Sequence, residues 1–171
     1  MKKMMNFKKR NYAYASICAS ILFMCVSCSS DDDAQVVTPV QTPGQIITST
    51  RWQTTEVFVN GGIENKIADY PSTVSVSTWR LTAGETNSGT FEFRNVSDPE
   101  GTPRAQGSFE LKDGIRILTF PNGSTALATM TRLDSGINEY TQSLPEQVNG
   151  VPVQPQNMVI VRVVHKPYPL K

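Results

Sequence analysis

The chain contains a single histidine, His165, so any mechanism that needs an imidazole must use this residue. One histidine is too few for the usual zinc site, and the sequence lacks the G-x-S-x-G turn of a serine nucleophile. His165 closes a predicted strand, which favours a hydrogen-bonded structural role over catalysis. Haem ligation by His165, Met130 or Met158 is an alternative, but no haem motif supports it. We therefore predict no cofactor.

Two carboxylates, Glu92 and Glu110, fall on neighbouring predicted strands and could form the catalytic pair of a glycosidase. Both lie on the face opposite the phenylalanines of these strands. Arg94 and Lys112 share that face, which favours cross-strand charge pairing on a solvated surface. With no other candidate for acid–base or nucleophilic chemistry, the sequence predicts a protein that is not an enzyme.

All three cysteines lie within the first 28 residues, in a stretch with the anatomy of a bacterial lipoprotein signal. Five basic residues precede an apolar run of about fifteen residues, from Tyr12 to Val26, as in a secretory signal. A retained anchor helix would need about twenty apolar residues to cross a membrane. The Cys-Val-Ser-Cys sequence at 25–28 resembles a lipobox with a small residue before the cut. We predict cleavage after residue 27 and lipid attachment at Cys28.

Two serines and the aspartates Asp31–Asp33 follow the predicted lipid attachment site. A serine-and-acid run of this kind resembles the export signal of surface-exposed lipoproteins in bacteroidete-type bacteria, and it also suits a solvated spacer. An isolated acidic triplet lacks the ring of ligands that calcium needs, so we predict no metal site. The expected location is the outer membrane, with the protein held there by its lipid. Cell-surface display is favoured over the periplasmic face.

Cleavage before Cys28 changes the charge balance of the chain. Residues 1–27 contain five of the 16 Lys and Arg and none of the 15 Asp and Glu, which leaves a net charge of about −4 on the mature chain. No basic stripe remains to match a phosphate backbone, which argues against nucleic acid as a partner. With Cys28 acylated, no free thiol remains for disulfides or metal sites. A hydrophobic core must therefore stabilise the domain.

Gly and Pro residues separate short segments rich in Val, Ile, Thr and Phe, a pattern typical of all-β proteins. Residues 28–43 predict a flexible linker, and residues 44–171 form the predicted domain. Thr42 as cap and Pro43 in the first turn predict one short helix before the first strand. The spacing of the strands predicts a meander that closes into a sandwich or a barrel. The predicted strands are Trp52–Asn60, Ile63–Ile67, Thr73–Leu81, Thr90–Asn95, Ala105–Lys112, Ile115–Phe120, Ser124–Leu133, Asn138–Leu144 and Asn157–His165.

Four segments carry a resemblance to a known family: Thr42–Thr55, Gly89–Phe91, Gln106–Phe109 and the closing His165–Pro167. They resemble an uncharacterised lipocalin-like domain family of bacteroidete-type lipoproteins, over most of residues 42–169. The resemblance implies an all-β fold, a small antiparallel β-barrel of about eight strands with an early tryptophan near one end. It implies no established activity.

Large aromatic residues are expected to point into such a barrel and to line a ligand site there. The predicted ligand-binding residues are Trp52, Trp79, Phe91, Phe93 and Phe109. The interior would also receive the small residues Ala105, Gly107, Ala126 and Ala128. Small side chains leave space but also ease strand curvature, and eight-stranded barrels can be packed solid or hold one small ligand. The sequence leaves these two possibilities open.

The sequence predicts a lipid-anchored, non-catalytic envelope protein whose barrel binds a small apolar ligand or a partner protein. The alternative is a structural or accessory subunit of an outer-membrane complex, with a filled barrel and loop-mediated contacts. Asn149 and Gly150 predict a hairpin turn between Val148 and Val151. These valines would form a contact patch or fold back as a lid over the barrel end. A pocket of several hundred cubic ångströms would favour the binding role.

Overall fold

The computed structural model describes residues 39–169. The predicted signal peptide, the lipid attachment site Cys28 and the acidic run Asp31–Asp33 lie outside the described residues. Within residues 39–169, no helix combines the length and the apolar character needed to cross a membrane.

A short helix, α1 (Pro43–Thr48), precedes the first strand, as predicted. Thr42 caps this helix through a reciprocal pair of hydrogen bonds. Its hydroxyl accepts from the backbone N–H of Gln45 at 3.2 Å, and its own N–H donates to the Gln45 side chain at 2.8 Å. Ile47 of α1 is fully buried, and its carbonyl accepts from the Trp52 indole at 2.7 Å. This bond fixes α1 to the start of the first strand.

Ten strands follow α1 within the described residues, and eight of them close into one antiparallel barrel, which confirms the predicted fold class. Going around the barrel, the order is β1-β10-β7-β6-β5-β4-β3-β2. The bounds of the barrel strands lie within three residues of the predicted ones. The strands are β1 (Arg51–Val59), β2 (Val76–Leu81), β3 (Ser88–Arg94), β4 (Ala105–Lys112), β5 (Ile115–Thr119), β6 (Thr125–Leu133), β7 (Asn138–Pro145) and β10 (Met158–Tyr168), with β8 (Gln147–Val148) and β9 (Val151–Pro152) forming a separate hairpin.

Alternation of buried and exposed residues shows why these segments form barrel strands. In β4, Phe109 and Leu111 are buried while Glu110 is exposed, as expected for a strand with one face in the core. Gly107 of the same strand lies so close to β5 that a Cβ atom there would overlap the carbonyl oxygen of Thr119. Glycine is therefore required for the close approach of the two strands.

The predicted strand at Ile63–Ile67 is wrong. The chain instead forms two short 3-10 helices, Ile67–Asp69 and Pro71–Thr73, before it enters β2. The Asn65 side chain explains the difference, because its Oδ1 accepts from the backbone N–H of Val57 at 3.0 Å and so occupies a donor that a neighbouring strand would use. Ile63, which suggested a buried strand, is 95% exposed.

The predicted Asn149-Gly150 turn is confirmed, since both residues adopt positive φ angles, 49° and 80°. The tip of this β8–β9 hairpin contacts the first 3-10 helix. The Asn149 N–H donates to the Asp69 carboxylate at 2.8 Å, and the Gly150 N–H donates to the Asp69 carbonyl at 3.1 Å. Val148 and Val151 remain exposed. The hairpin thus folds back at its tip, as a lid would, but keeps its valines in solvent.

Two clusters of buried side chains form the core. The first includes Ile47 of α1 and comprises Ile47, Trp52, Trp79, Phe91, Phe109, Leu111 and Leu118. The second comprises Val57, Tyr70, Ala128, Tyr140, Val159, Val161 and Val163. The clusters are separate, and the polar residues described next contact aromatic rings of both.

Candidate ligand cavity

The barrel contains a cavity of about 380 Å³. This volume lies at the lower end of the range of about 300 to 1,000 Å³ that is typical of small-molecule sites. Its walls are mainly apolar, and the apolar lining includes Trp79, Phe93, Leu118, Phe120, Ala126 and Leu144. The barrel is therefore not packed solid, the point that the sequence left open.

The cavity extends to the surface at the end of the barrel opposite α1. Helix α1 covers the end that carries the β2–β3 turn, where the Gly44 N–H donates to Asn87 at 3.1 Å. At the other end the exposed residues Ser72 and Arg104 border the cavity. The Arg104 guanidinium donates to the carbonyls of Ser72 and Val74 at 2.9 and 2.7 Å. It therefore holds the β3–β4 loop against the second 3-10 helix beside the cavity mouth.

Arg116 of β5 lies in the wall of the cavity and is only 3% exposed. Its guanidinium carbon is 3.7 Å from the centre of the Tyr140 ring and 5.6 Å from that of Trp79. Within residues 39–169, Arg116 forms no ion pair, and its Nε has no hydrogen-bond partner. Stacking on desolvated rings contributes about 2 kcal/mol. An unpaired buried charge costs several kcal/mol, so the stacking offsets only part of this cost.

His165 also stacks on Tyr140, and the centres of the two rings are 5.4 Å apart. Burial lowers the pKa of His165 to about 3, and the Arg116 charge acts in the same direction. The imidazole is therefore neutral near pH 7, and its Nδ1 lacks a hydrogen-bond partner. His165 does not close the last strand as expected, because β10 continues to Tyr168, and its side chain borders the cavity.

Asn138 adds a third buried polar side chain to this region. It is fully buried on β7, where it pairs in register with His165. Neither its amide oxygen nor its amide nitrogen has a hydrogen-bond partner among the described residues. A buried polar group without a partner costs about 1 to 3 kcal/mol. Asn138 does not border the cavity, but Arg116 and His165 do, and a ligand in the cavity could complete the contacts of these two.

The structure brings together only part of the predicted ligand site. Trp79 and Phe93 border the cavity. Trp52, Phe91 and Phe109 are core residues that do not border it. Phe91 and Phe109 pack on Trp79, with ring centres 5.7 and 5.2 Å away. They therefore support the cavity wall from behind.

Sequence reasoning missed Arg116, which is the most unusual residue of the cavity. The available signal was its position on β5, two residues before the buried Leu118, because residues two apart on a strand share a face. Ile115 and Ile117 hid this signal, because their apolar side chains suggest that the odd-numbered positions face the core. The structure shows the opposite, with Arg116 and Leu118 inside.

The two carboxylates considered for glycoside hydrolysis do not border the cavity. Glu92 forms an ion pair at 3.2 Å with Arg80 of β2, which confirms the predicted cross-strand charge pairing for this residue, and a second one at 2.6 Å with Arg94 of its own strand. Glu110 is exposed on the outer face of β4 and forms no ion pair among the described residues, so the charge pairing predicted for it is wrong.

The chain matches no protein-family model, and it shows no significant similarity to a curated protein sequence. Among residues 39–169, no group of three or more His, Cys, Asp and Glu side chains is placed to hold a metal ion. The chemistry of the cavity is therefore the basis for assigning a function.

Proposed function

We propose that this protein is a lipid-anchored, lipocalin-like envelope protein whose barrel binds one small, largely apolar ligand without transforming it. The observation that carries the proposal is the cavity of about 380 Å³ with its aromatic and aliphatic walls. A space of this size lined by Trp79 and Phe93 would exclude water from an apolar molecule, which is the main source of affinity in such sites.

The proposed anchor is the lipid at Cys28, in the outer membrane and on the cell surface. Its support is the signal-like sequence of residues 1–27 and the serine-and-acid run that follows. A lipid anchor suits the proposed binding role, since apolar molecules concentrate in membranes.

The accessory-subunit alternative keeps one supporting observation, a set of exposed apolar side chains. Val148 and Val151 are exposed on the hairpin, and Met158 and Ile160 are exposed on β10. Apolar surface of this kind often marks a protein contact. In this alternative the cavity would have no ligand, so direct binding measurements separate the two roles.

A series of alkan-1-ols from hexanol to dodecanol should bind the mature protein with one-to-one stoichiometry. Each added methylene should raise the affinity about fourfold, since burial of a CH₂ group contributes about 0.8 kcal/mol, until the chain outgrows the cavity. Trp79 borders the cavity, so its fluorescence reports the titration directly.

A cavity-filling variant supplies the control for this series. Ala126→Phe places a large ring in the cavity wall and should abolish alkanol binding. Leu127→Phe changes the next residue of β6, whose side chain is 61% exposed on the outer face, and should leave binding unchanged. Equal affinities in the wild type and in Ala126→Phe would show that the alkanols bind elsewhere and would contradict the proposal.

A further inference from the structure

We infer that the ligand carries one carboxylate, which Arg116 binds inside the cavity while the apolar body of the ligand lies against the aromatic wall. This inference rests on the proposed function, the binding of one small molecule by the barrel. It adds the chemical class of the ligand and the residue that selects it.

The charges around the cavity have one sign. Arg104 at the mouth and Arg116 in the wall are cationic, and none of the described residues that border the cavity is acidic. His165, which is neutral near pH 7, adds no charge of either sign. An anion is therefore the ligand that this lining favours, and a cation would meet repulsion from both arginines.

The carboxylates of the nearby strands do not pair with Arg116. Glu110, on the adjacent strand β4, is exposed on the outer face. Glu92 on β3 pairs with Arg94 at 2.6 Å, and Glu139 on β7 pairs with Arg162 at 3.0 Å. None of the three glutamates borders the cavity. Within the described residues, Arg116 thus has no protein carboxylate as a partner, although it is 3% exposed.

The geometry of Arg116 leaves its donors free for a ligand. Its guanidinium carbon lies 3.7 Å from the centre of the Tyr140 ring, and its Nε has no hydrogen-bond partner among the described residues. The N–H donors point outward in the guanidinium plane, where a carboxylate can accept two parallel hydrogen bonds. A single guanidinium matches the single negative charge of a carboxylate, whereas a phosphate dianion would need further donors.

Decanoate, decan-1-ol and decylamine test the inference, because they share one chain and differ in the charge of the head group. Decanoate should bind the mature protein at least tenfold more tightly than decan-1-ol, as expected when a charged hydrogen bond forms. Decylamine should bind more weakly than decan-1-ol. Calorimetry and Trp79 fluorescence measure all three affinities.

Substitution of Arg116 identifies the residue responsible. Arg116→Met should reduce decanoate affinity to that of decan-1-ol, leave decan-1-ol affinity unchanged and raise the melting temperature of the empty protein. A purely structural role for Arg116 would instead lower the melting temperature. Arg132→Met, at an exposed arginine of β6, is the matched control and should keep the decanoate preference. Arg116→Lys retains the positive charge but cannot donate two parallel hydrogen bonds, so it should keep part of the preference for decanoate. It provides a second variant if Arg116→Met does not fold.

The possible outcomes separate the inference from the proposed function. Equal binding of decanoate and decan-1-ol to the wild type would overturn the carboxylate inference and leave the binding function standing. A decanoate preference that survives in folded Arg116→Met would assign selectivity to another residue and would also overturn it. Absence of binding by all three compounds would contradict the proposed function itself.

Discussion

Replacing Cys28 with serine should abolish lipid labelling and release the protein from the membrane fraction. The acyl chains are the proposed membrane attachment, and each buried CH₂ contributes about 0.8 kcal/mol to membrane affinity. Because the substitution removes all acyl chains at once, the protein should move from the membrane fraction to the soluble fraction. Metabolic incorporation of a palmitate analogue, followed by membrane fractionation, measures both effects.

Cys25→Ser is the matched control for this experiment, because it removes the other cysteine of the lipobox-like sequence. It should keep both the label and the membrane location. Labelling that persists in Cys28→Ser and disappears in Cys25→Ser would show that the lipid is attached to Cys25. A wild-type protein without any label would contradict the proposed lipid anchor.

The free energy of unfolding should fall as the pH drops below 6.5, because His165 is buried in its neutral form. Its pKa is about 3 in the folded protein against an ordinary value of 6.5, so between these values the unfolded chain binds a proton that the folded chain does not. Stability is therefore complete above pH 6.5 and declines as the pH falls towards 3. The loss is about 1.4 kcal/mol per pH unit, or about 2 to 3 kcal/mol by pH 4.5.

Urea unfolding of the wild type and His165→Gln between pH 7 and pH 4.5 measures this dependence. The variant has no imidazole to protonate, so its stability should change little over the same range. A parallel decline in both proteins would assign the acid sensitivity to other groups and contradict the burial of a neutral His165.

Local sequence signals predicted most of the barrel. The alternation of Phe109 and Leu111 with polar neighbours gave the bounds of β4, and Thr42 with Pro43 gave α1, because capping and alternation are properties of adjacent residues. The strand predicted at Ile63–Ile67 is wrong because a contact between residues distant in sequence decides the conformation there. A hydrogen bond from the Val57 N–H to the Asn65 side chain depends on a contact eight residues apart, which the local pattern does not contain.

The cavity was harder to predict than the strands around it. Alternation places Trp79 and Phe91 on the inner faces of their strands, but it does not tell which of them borders open space and which packs behind it. That difference depends on how the closed strands are arranged and on which large and small side chains meet across the interior. Arg116 was missed because its isoleucine neighbours give β5 the opposite apparent face.

Native mass spectrometry of the protein purified from the membranes of its own host tests the central claim most directly, the presence of a ligand in the barrel. We expect one small noncovalent adduct in the wild type and in Leu127→Phe, and the bare lipidated chain in Ala126→Phe. The bare lipidated chain in all three proteins would contradict this claim.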